Sequence, residues 1–114
     1  MEQKDIITNL LVELKRGTQT LAVLSLFNDK QYGYSLLQAL EEKDIPIEAG
    51  TLYPMLRRLE TQGILTSEWD TEESRPRKFY QLSSFGHQAY NNLKEAYFKM
   101  HKDLVALIQE ENHE

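Results

Sequence analysis

The sequence predicts a mainly helical α+β chain in which helix, helix, helix, strand, strand and helix follow an N-terminal amphipathic helix. Three observations carry this. Apolar residues recur at intervals of three and four in several segments and alternate in two short ones. Gly, Pro and small polar residues separate those segments. The last segment carries a heptad stripe over almost three heptads.

Met1 to Lys15 places Ile6, Ile7, Leu10, Leu11 and Leu14 at helical spacing. Arg16-Gly17-Thr18 interrupts it, because Gly weakens a helix interior and Thr18 is a suitable N-cap for a new helix. Thr18 to Asn28 then reads as a buried helix, with Leu21, Ala22, Leu24, Leu26 and Phe27 nearly continuous. Whether the two helices join through Gly17 stays open. Asp29 to Gly33 reads as a turn, and Tyr34 to Lys43 as a short helix with Leu36, Leu37 and Leu40 inward. Pro46 biases Ile45 to an extended backbone and separates this helix from the next. Ala49 to Gln62 follows, with Leu52, Leu56 and Leu59 on one side and Gly63 as its stop. Pro54 falls inside that helix, which requires a start close by or a distorted first turn.

Ile64 to Trp69 and Lys78 to Leu82 read as strands, with Leu65 and Trp69 sharing a face of the first and Tyr80 and Leu82 a face of the second. The polar segment 70–77 between them is too long for a two-residue turn and makes an exposed hairpin tip. Ser83 is a suitable N-cap for a helix from Ser84 to about Gln109. The acidic stretch Glu110-Glu111-Asn112-His113-Glu114 is expected to fray.

The 114 residues correspond to about one domain and can bury only a modest core. The absence of cysteine excludes disulfides, thiolate zinc sites and cysteine nucleophiles. No apolar run reaches membrane-spanning length and the N-terminus has no signal pattern, so the expected compartment is the cytoplasm, with no membrane partner. His87, His101 and His113 fit no zinc motif, and neither a metal nor another cofactor is expected.

The net charge of -5 argues against a nucleic-acid partner unless the charge is unevenly placed. It is: Lys15, Arg16, Arg57, Arg58, Arg75, Arg77 and Lys78 are seven of the thirteen basic residues. Two short helices joined by a turn, the second entering the major groove, followed at once by a hairpin, describe a winged helix-turn-helix. Five of the seven fall on its second helix and hairpin tip, and Lys15 and Arg16 lie at the start of the buried helix. An arginine fork can pair with a phosphate or with guanine, and Thr51 and Tyr53 are placed for backbone phosphates or thymine methyls. The plainer alternative is that Arg57 and Arg58 are solvated or paired with a carboxylate such as Glu60, and that Glu72 and Glu73 neutralise the tip.

Three motifs add to this: Tyr32-Gly33-Tyr34-Ser35-Leu36; Gly50-Thr51-Leu52-Tyr53-Pro54-Met55-Leu56-Arg57-Arg58-Leu59-Glu60; and Arg75-Pro76-Arg77-Lys78-Phe79-Tyr80-Gln81-Leu82-Ser83, ending at Gly86. In this order they resemble the signature of the PadR family of transcriptional regulators, over about Leu14 to His87. The resemblance implies a winged helix-turn-helix that binds double-stranded promoter DNA, usually as a repressor, and a homodimer built through the C-terminal helix. Residues 1–83 would form the DNA-binding domain with its N-terminal helix, and 84–114 the dimerisation helix. By position, Thr51, Tyr53, Pro54 and Arg57, with Arg58 beside them, fall on the recognition helix. Arg75, Arg77 and Lys78 fall on the wing, and Tyr34 at the start of the preceding helix, where a phenol can donate to phosphate. Ser74 departs from the Gly with which the family's wing motif usually begins.

Tyr90, Leu93, Tyr97, Met100, Leu104 and Leu107 form the heptad stripe, and Leu10 and Leu14, with Ile6, are expected to join the same dimer surface. The alternative is that the last helix packs on the chain's own N-terminal helix. Tyr97 and Phe98 are candidate contacts for a small aromatic effector, of the kind some family members bind, although filling a dimer core is the simpler role for such rings. A helical adaptor without DNA binding is the competing function. An enzyme is not expected, because no phosphate loop, nucleophile with its base, or paired-carboxylate cleft can be assigned.

Overall fold

The structure, a computed structural model, describes residues 2–72 and 74–111. Glu73 of the hairpin tip and 112–114 of the acidic tail, including His113, lie outside the described residues. The elements are α1 (Gln3–Arg16), α2 (Gln19–Leu24), β1 (Gln31–Tyr32), α3 (Gly33–Glu42), α4 (Ala49–Thr61), β2 (Leu65–Asp70), β3 (Arg77–Leu82) and α5 (Ser84–Glu111). The strands form one antiparallel sheet in the order β1-β3-β2, with Leu65 opposite Leu82 and Asp70 opposite Arg77. This is the expected winged helix-turn-helix with a long C-terminal helix. No described helix is long and apolar enough to cross a membrane.

The core gathers Val23, Leu24 and Phe27 from α2 and its exit, Leu36 and Leu40 from α3, and Ile47 from the linker. Leu52, Met55, Leu56 and Leu59 of α4, Leu65 of β2 and Tyr80 of β3 complete it. The four α4 residues recur at intervals of three and four, so one stripe of that helix faces inward and the opposite stripe faces solvent.

Local chemistry sets most boundaries. At the end of α4, Gly63 takes φ +79°, its N–H donates to the Glu60 carbonyl, and the Ile64 N–H reaches back to the Leu59 carbonyl. That is a Schellman stop. The end of α3 repeats the pattern, with Ile45 N–H to Leu40 O and Asp44 N–H to Glu41 O, but Asp44 occupies the left-handed position at φ 61°. Ser83 caps α5 by accepting from the Gly86 N–H at 2.9 Å, and its own N–H donates to the Ile64 carbonyl. A Cβ on Gly86 would meet that same carbonyl oxygen at 2.0 Å, so only glycine lets α5 start against the exit of α4.

Several expected boundaries are corrected. The helix expected over Thr18 to Asn28 ends at Leu24, and 25–28 continue as turns. Thr18 does not cap it: its hydroxyl donates back to the Lys15 carbonyl at 2.9 Å. The ladder is interrupted at Gly17-Thr18, so α1 and α2 are separate helices. The turn expected over Asp29 to Gly33 contains β1, and α3 begins at Gly33 and ends at Glu42. β2 is shifted by one residue, to Leu65–Asp70, and β3 starts one residue earlier, at Arg77, and ends as expected at Leu82. Trp69 shares the strand face of Leu65 but lies beyond the core, 63% exposed. Pro54 sits in the second turn of α4, where its missing N–H leaves the Gly50 carbonyl without its helical donor.

No residue of α1 is buried, and past Tyr90 no described side chain of α5 is fully buried. The last helix therefore does not bury its stripe on α1.

Replacing Asp44 by Gly removes the steric cost of an L-residue in the left-handed region. Asp44→Gly is expected to raise stability by about 0.5–1 kcal/mol, read as a higher urea midpoint at unchanged m-value.

Candidate nucleic-acid interface

With Leu52, Met55, Leu56 and Leu59 inward, the outer ridge of α4 is Gly50, Pro54, Arg57 and Thr61, and all four are exposed. Tyr53 lies on one flank of this ridge, and Thr51 and Arg58 on the other. The wing-side flank is set by a close contact: a Cβ on Gly33 would stand 2.3 Å from Cε1 of Tyr53 and 2.7 Å from its hydroxyl oxygen. The start of α3 thus lies directly against the recognition-helix tyrosine.

Gly33 is flanked by Tyr32 and Tyr34, whose rings stack at 5.7 Å. The Arg77 guanidinium lies 4.7 Å from the Tyr32 ring centroid and 5.6 Å from that of Tyr34, and Nη1 donates to the Tyr34 hydroxyl at 2.8 Å. The Tyr32 hydroxyl donates to Asp70 Oδ2 at 2.6 Å. That bond raises the Tyr32 pKa and, with help from the Glu72 backbone N–H, lowers that of Asp70. Asp70 and Arg77 face each other across the hairpin. The wing base is thereby fastened to the start of α3, and through Gly33 to Tyr53.

A second tie runs from the wing to α4. Glu60 accepts from the Ser67 hydroxyl and from Lys78 Nζ at 3.2 Å. The Ser67 bond holds its carboxyl below the usual range against the opposing effect of burial, with smaller help from the Lys78 bond and charge.

The sequence-expected residues divide accordingly. Tyr34, Tyr53 and Arg77 are joined through the Gly33 contact. Thr51, Pro54 and Arg57 lie exposed along α4, and Arg75 is exposed at the wing tip. Lys78 is half-buried and engaged with Glu60, and Glu60, expected to pair with Arg57 or Arg58, is taken up by the wing. Arg58 instead reaches the Thr20 hydroxyl at 3.4 Å. Tyr90, expected on the dimer stripe, packs against the chain's own core with the Lys94 ammonium 5.2 Å from its ring centroid. Leu10, Leu14, Leu93, Met100, Leu104 and Leu107 are exposed. Tyr97 is half-buried, between exposed Phe98 at 5.8 Å and a stacked His101.

Tyr32, Asp70, Lys30 and Thr20 escaped the sequence reading. Lys30 lies 4.6 Å from the Phe79 ring centroid, a contact created by the pairing of β1 with β3. The Tyr-Gly-Tyr run was the available signal for Tyr32; nothing local marks the other three.

The sequence profile of the transcriptional regulator PadR-like family matches residues 21–92. The chain belongs to this family. It is 30% identical over 94 residues, 82% of this chain and 88% of the other, to the transcriptional regulator Rv3488 of Mycobacterium tuberculosis. It is also similar to the crystal structure of a PadR family transcriptional regulator from Eggerthella lenta, at 40% identity and TM-score 0.85, covering 92% of this chain and 94% of that one. Bacillus subtilis PadR, solved in complex with operator DNA, shares the PadR fold at TM-score 0.59 and 22% identity, over 64% of this chain and 44% of its own. The family is one of transcriptional regulators, not enzymes.

The Glu60 tie gives a pH dependence. A carboxyl held below its ordinary value of 4.5 contributes stability that is complete above that value and is lost as pH falls through the lower native pKa. Glu60→Gln is therefore expected to be less stable than the parent at pH 7, and the difference should shrink as urea midpoints are followed from pH 5 to pH 3.

Proposed function

We propose that this PadR family regulator is a homodimeric repressor that binds promoter DNA, with α4 in the major groove and the β2–β3 hairpin as its wing. The observation that carries the reading is the contact chain from Tyr53 through Gly33 and Tyr34 to Arg77, which ties the recognition helix and the wing together. The operator complex of Bacillus subtilis PadR supports the same use of the fold. In this reading Arg57, on the outer ridge, reaches base edges from the groove floor. Tyr34, Thr51, Tyr53, Pro54, Arg58, Arg75, Arg77 and Lys78 surround that contact. Lys78 has a second role through Glu60, holding the wing against α4.

Dimerisation rests on α1 and α5. Leu10, Leu14, Leu93, Met100, Leu104 and Leu107 expose apolar surface on two helices that pack against little of their own chain. Burying a leucine is worth about 1.5–3 kcal/mol, so pairing two copies supplies a driving force that the single chain leaves unused. Residues 84–114 thus serve as the dimerisation helix and 1–83 as the reading domain. A small aromatic effector would act at Tyr97 and Phe98, whose rings meet edge to face on the same helix. The compartment that goes with this reading is the cytoplasm.

Arg57→Ala is expected to weaken binding to an inverted-repeat operator by about 1–3 kcal/mol and to relax sequence preference, measured by fluorescence anisotropy against operator and scrambled duplexes. Equal affinity of the parent for both duplexes, unaffected by Arg75→Ala/Arg77→Ala, would favour the adaptor instead. Leu104→Glu/Leu107→Glu should convert a dimer to monomer in sedimentation velocity and reduce operator affinity; an unchanged sedimentation coefficient would place the dimer contact elsewhere.

A further inference from the structure

An open groove of about 510 Å³ lies between the start of α2 and the start of α4. Arg16, at the end of α1, and Arg58, on α4, both line it, with Thr20, Thr51, Gly50 and Pro54. Arginines from two different elements thus line one concavity together with two hydroxyl-bearing residues. Thr20 Oγ1 already marks where one fork points, 3.4 Å from Arg58 Nη2. Both arginines are exposed, so their charge is not consumed inside the core.

The groove has a defined place relative to the outer ridge of α4. It lies on the α2 flank, whereas Tyr53, Gly33, Tyr34 and Arg77 lie on the wing flank. A helix with side chains is about 10–12 Å across and the major groove about 12 Å wide, so a helix seated there has a sugar-phosphate wall on each side. In the proposed docking the wing flank would meet one wall, and the other would pass over Thr51, Pro54 and Arg58 toward the start of α2.

We propose that this groove is a phosphodiester site, in which Arg16 and Arg58 hold a backbone phosphate on the wall opposite the wing. The site rests on the DNA-binding reading and adds Arg16 and Thr20 to it. Its ligand chemistry is a phosphate oxyanion: guanidinium forks pair with such an oxygen pair at fixed geometry, and threonine hydroxyls complete the shell. These contacts position the protein on the duplex and carry no sequence information.

The test compares the full-length protein with Arg16→Gln, Arg58→Gln and Arg16→Lys, titrating operator and scrambled duplexes between 50 and about 300 mM salt. Each lost phosphate contact lowers the steepness of log K against log[salt] by about 0.9, and a dimer loses two per substitution, so a drop of about 1.8 is expected. Operator and scrambled duplex should be weakened alike, Arg16→Lys should keep the parental slope, and melting temperatures should be unchanged. Parental slopes in both Gln variants, with duplex binding by the parent intact, overturn the groove site alone. Failure of the parent to bind any duplex overturns the reading beneath it as well. Inorganic phosphate bound by the duplex-free protein and lost in Arg16→Gln, with the duplex slope unchanged, overturns DNA as the occupant.

Discussion

The packing of Tyr53 on Gly33 sets the geometry of the face that the protein turns outward. With no side chain at 33, the start of α3 comes within contact distance of a ring on α4, at a point where any Cβ would overlap that ring. The contacts of the wing side lie next to this approach. Tyr32 and Tyr34 flank the glycine, Arg77 lies over both rings, and Asp70 closes the set from the adjacent strand. The start of α3 thereby touches both α4 and the hairpin, although the residues involved are spread over more than forty positions. A larger residue at 33 would displace the Tyr53 ring from this position.

The buried core and the exposed apolar surface lie on different parts of the chain. Among the described residues, the twelve buried apolar ones lie between Val23 and Tyr80, from α2 to β3. α1 and most of α5 contribute no fully buried side chain, and the molecule is drawn out to 62 Å in its longest dimension. Tyr90 marks the division: up to that residue α5 belongs to the domain core, and after it the apolar stripe faces outward. The exposed leucines of the two long helices are therefore available to a second copy, while the reading domain keeps its own core. This separation leaves the core of the helix-turn-helix intact whatever covers the two exposed helices.

The parts of the fold that sequence shows are those decided by local chemistry. Gly63 could be read as a helix stop because its positive φ needs a glycine, and Ser83 as a cap because its hydroxyl lies within reach of the Gly86 N–H. The same reasoning failed at Thr18, where the hydroxyl found the preceding carbonyl instead. β1 was hidden because two residues have no periodicity of their own and become a strand only by pairing with Phe79 and Tyr80. Motif and spacing brought out Tyr34, Arg57 and Arg77, but not what they touch. The partners of Lys78 and Arg58 are 18 and 38 residues away in sequence, so no local pattern could have chosen Glu60 for one and Thr20 for the other.

The net charge of -5 and the proposed DNA partner are reconciled by where the carboxylates point. Net charge governs solubility and long-range approach, whereas a phosphate within contact distance responds to the groups immediately around it, because salt screens charges more than about 8–10 Å away. Two half-buried carboxylates near the wing are engaged by neighbouring groups. Glu60 is bound by Ser67 and Lys78, and Asp70 by Tyr32 and the Glu72 backbone. Each is thereby a structural acceptor that braces a cationic segment. Lys78 neutralises Glu60, so it adds little to the outward field and much to the position of the wing. Arg57 on the ridge and Arg75 at the tip are exposed, and their charge faces solvent. An overall acidic chain thus presents a basic reading face by using some of its acids to hold that face in shape.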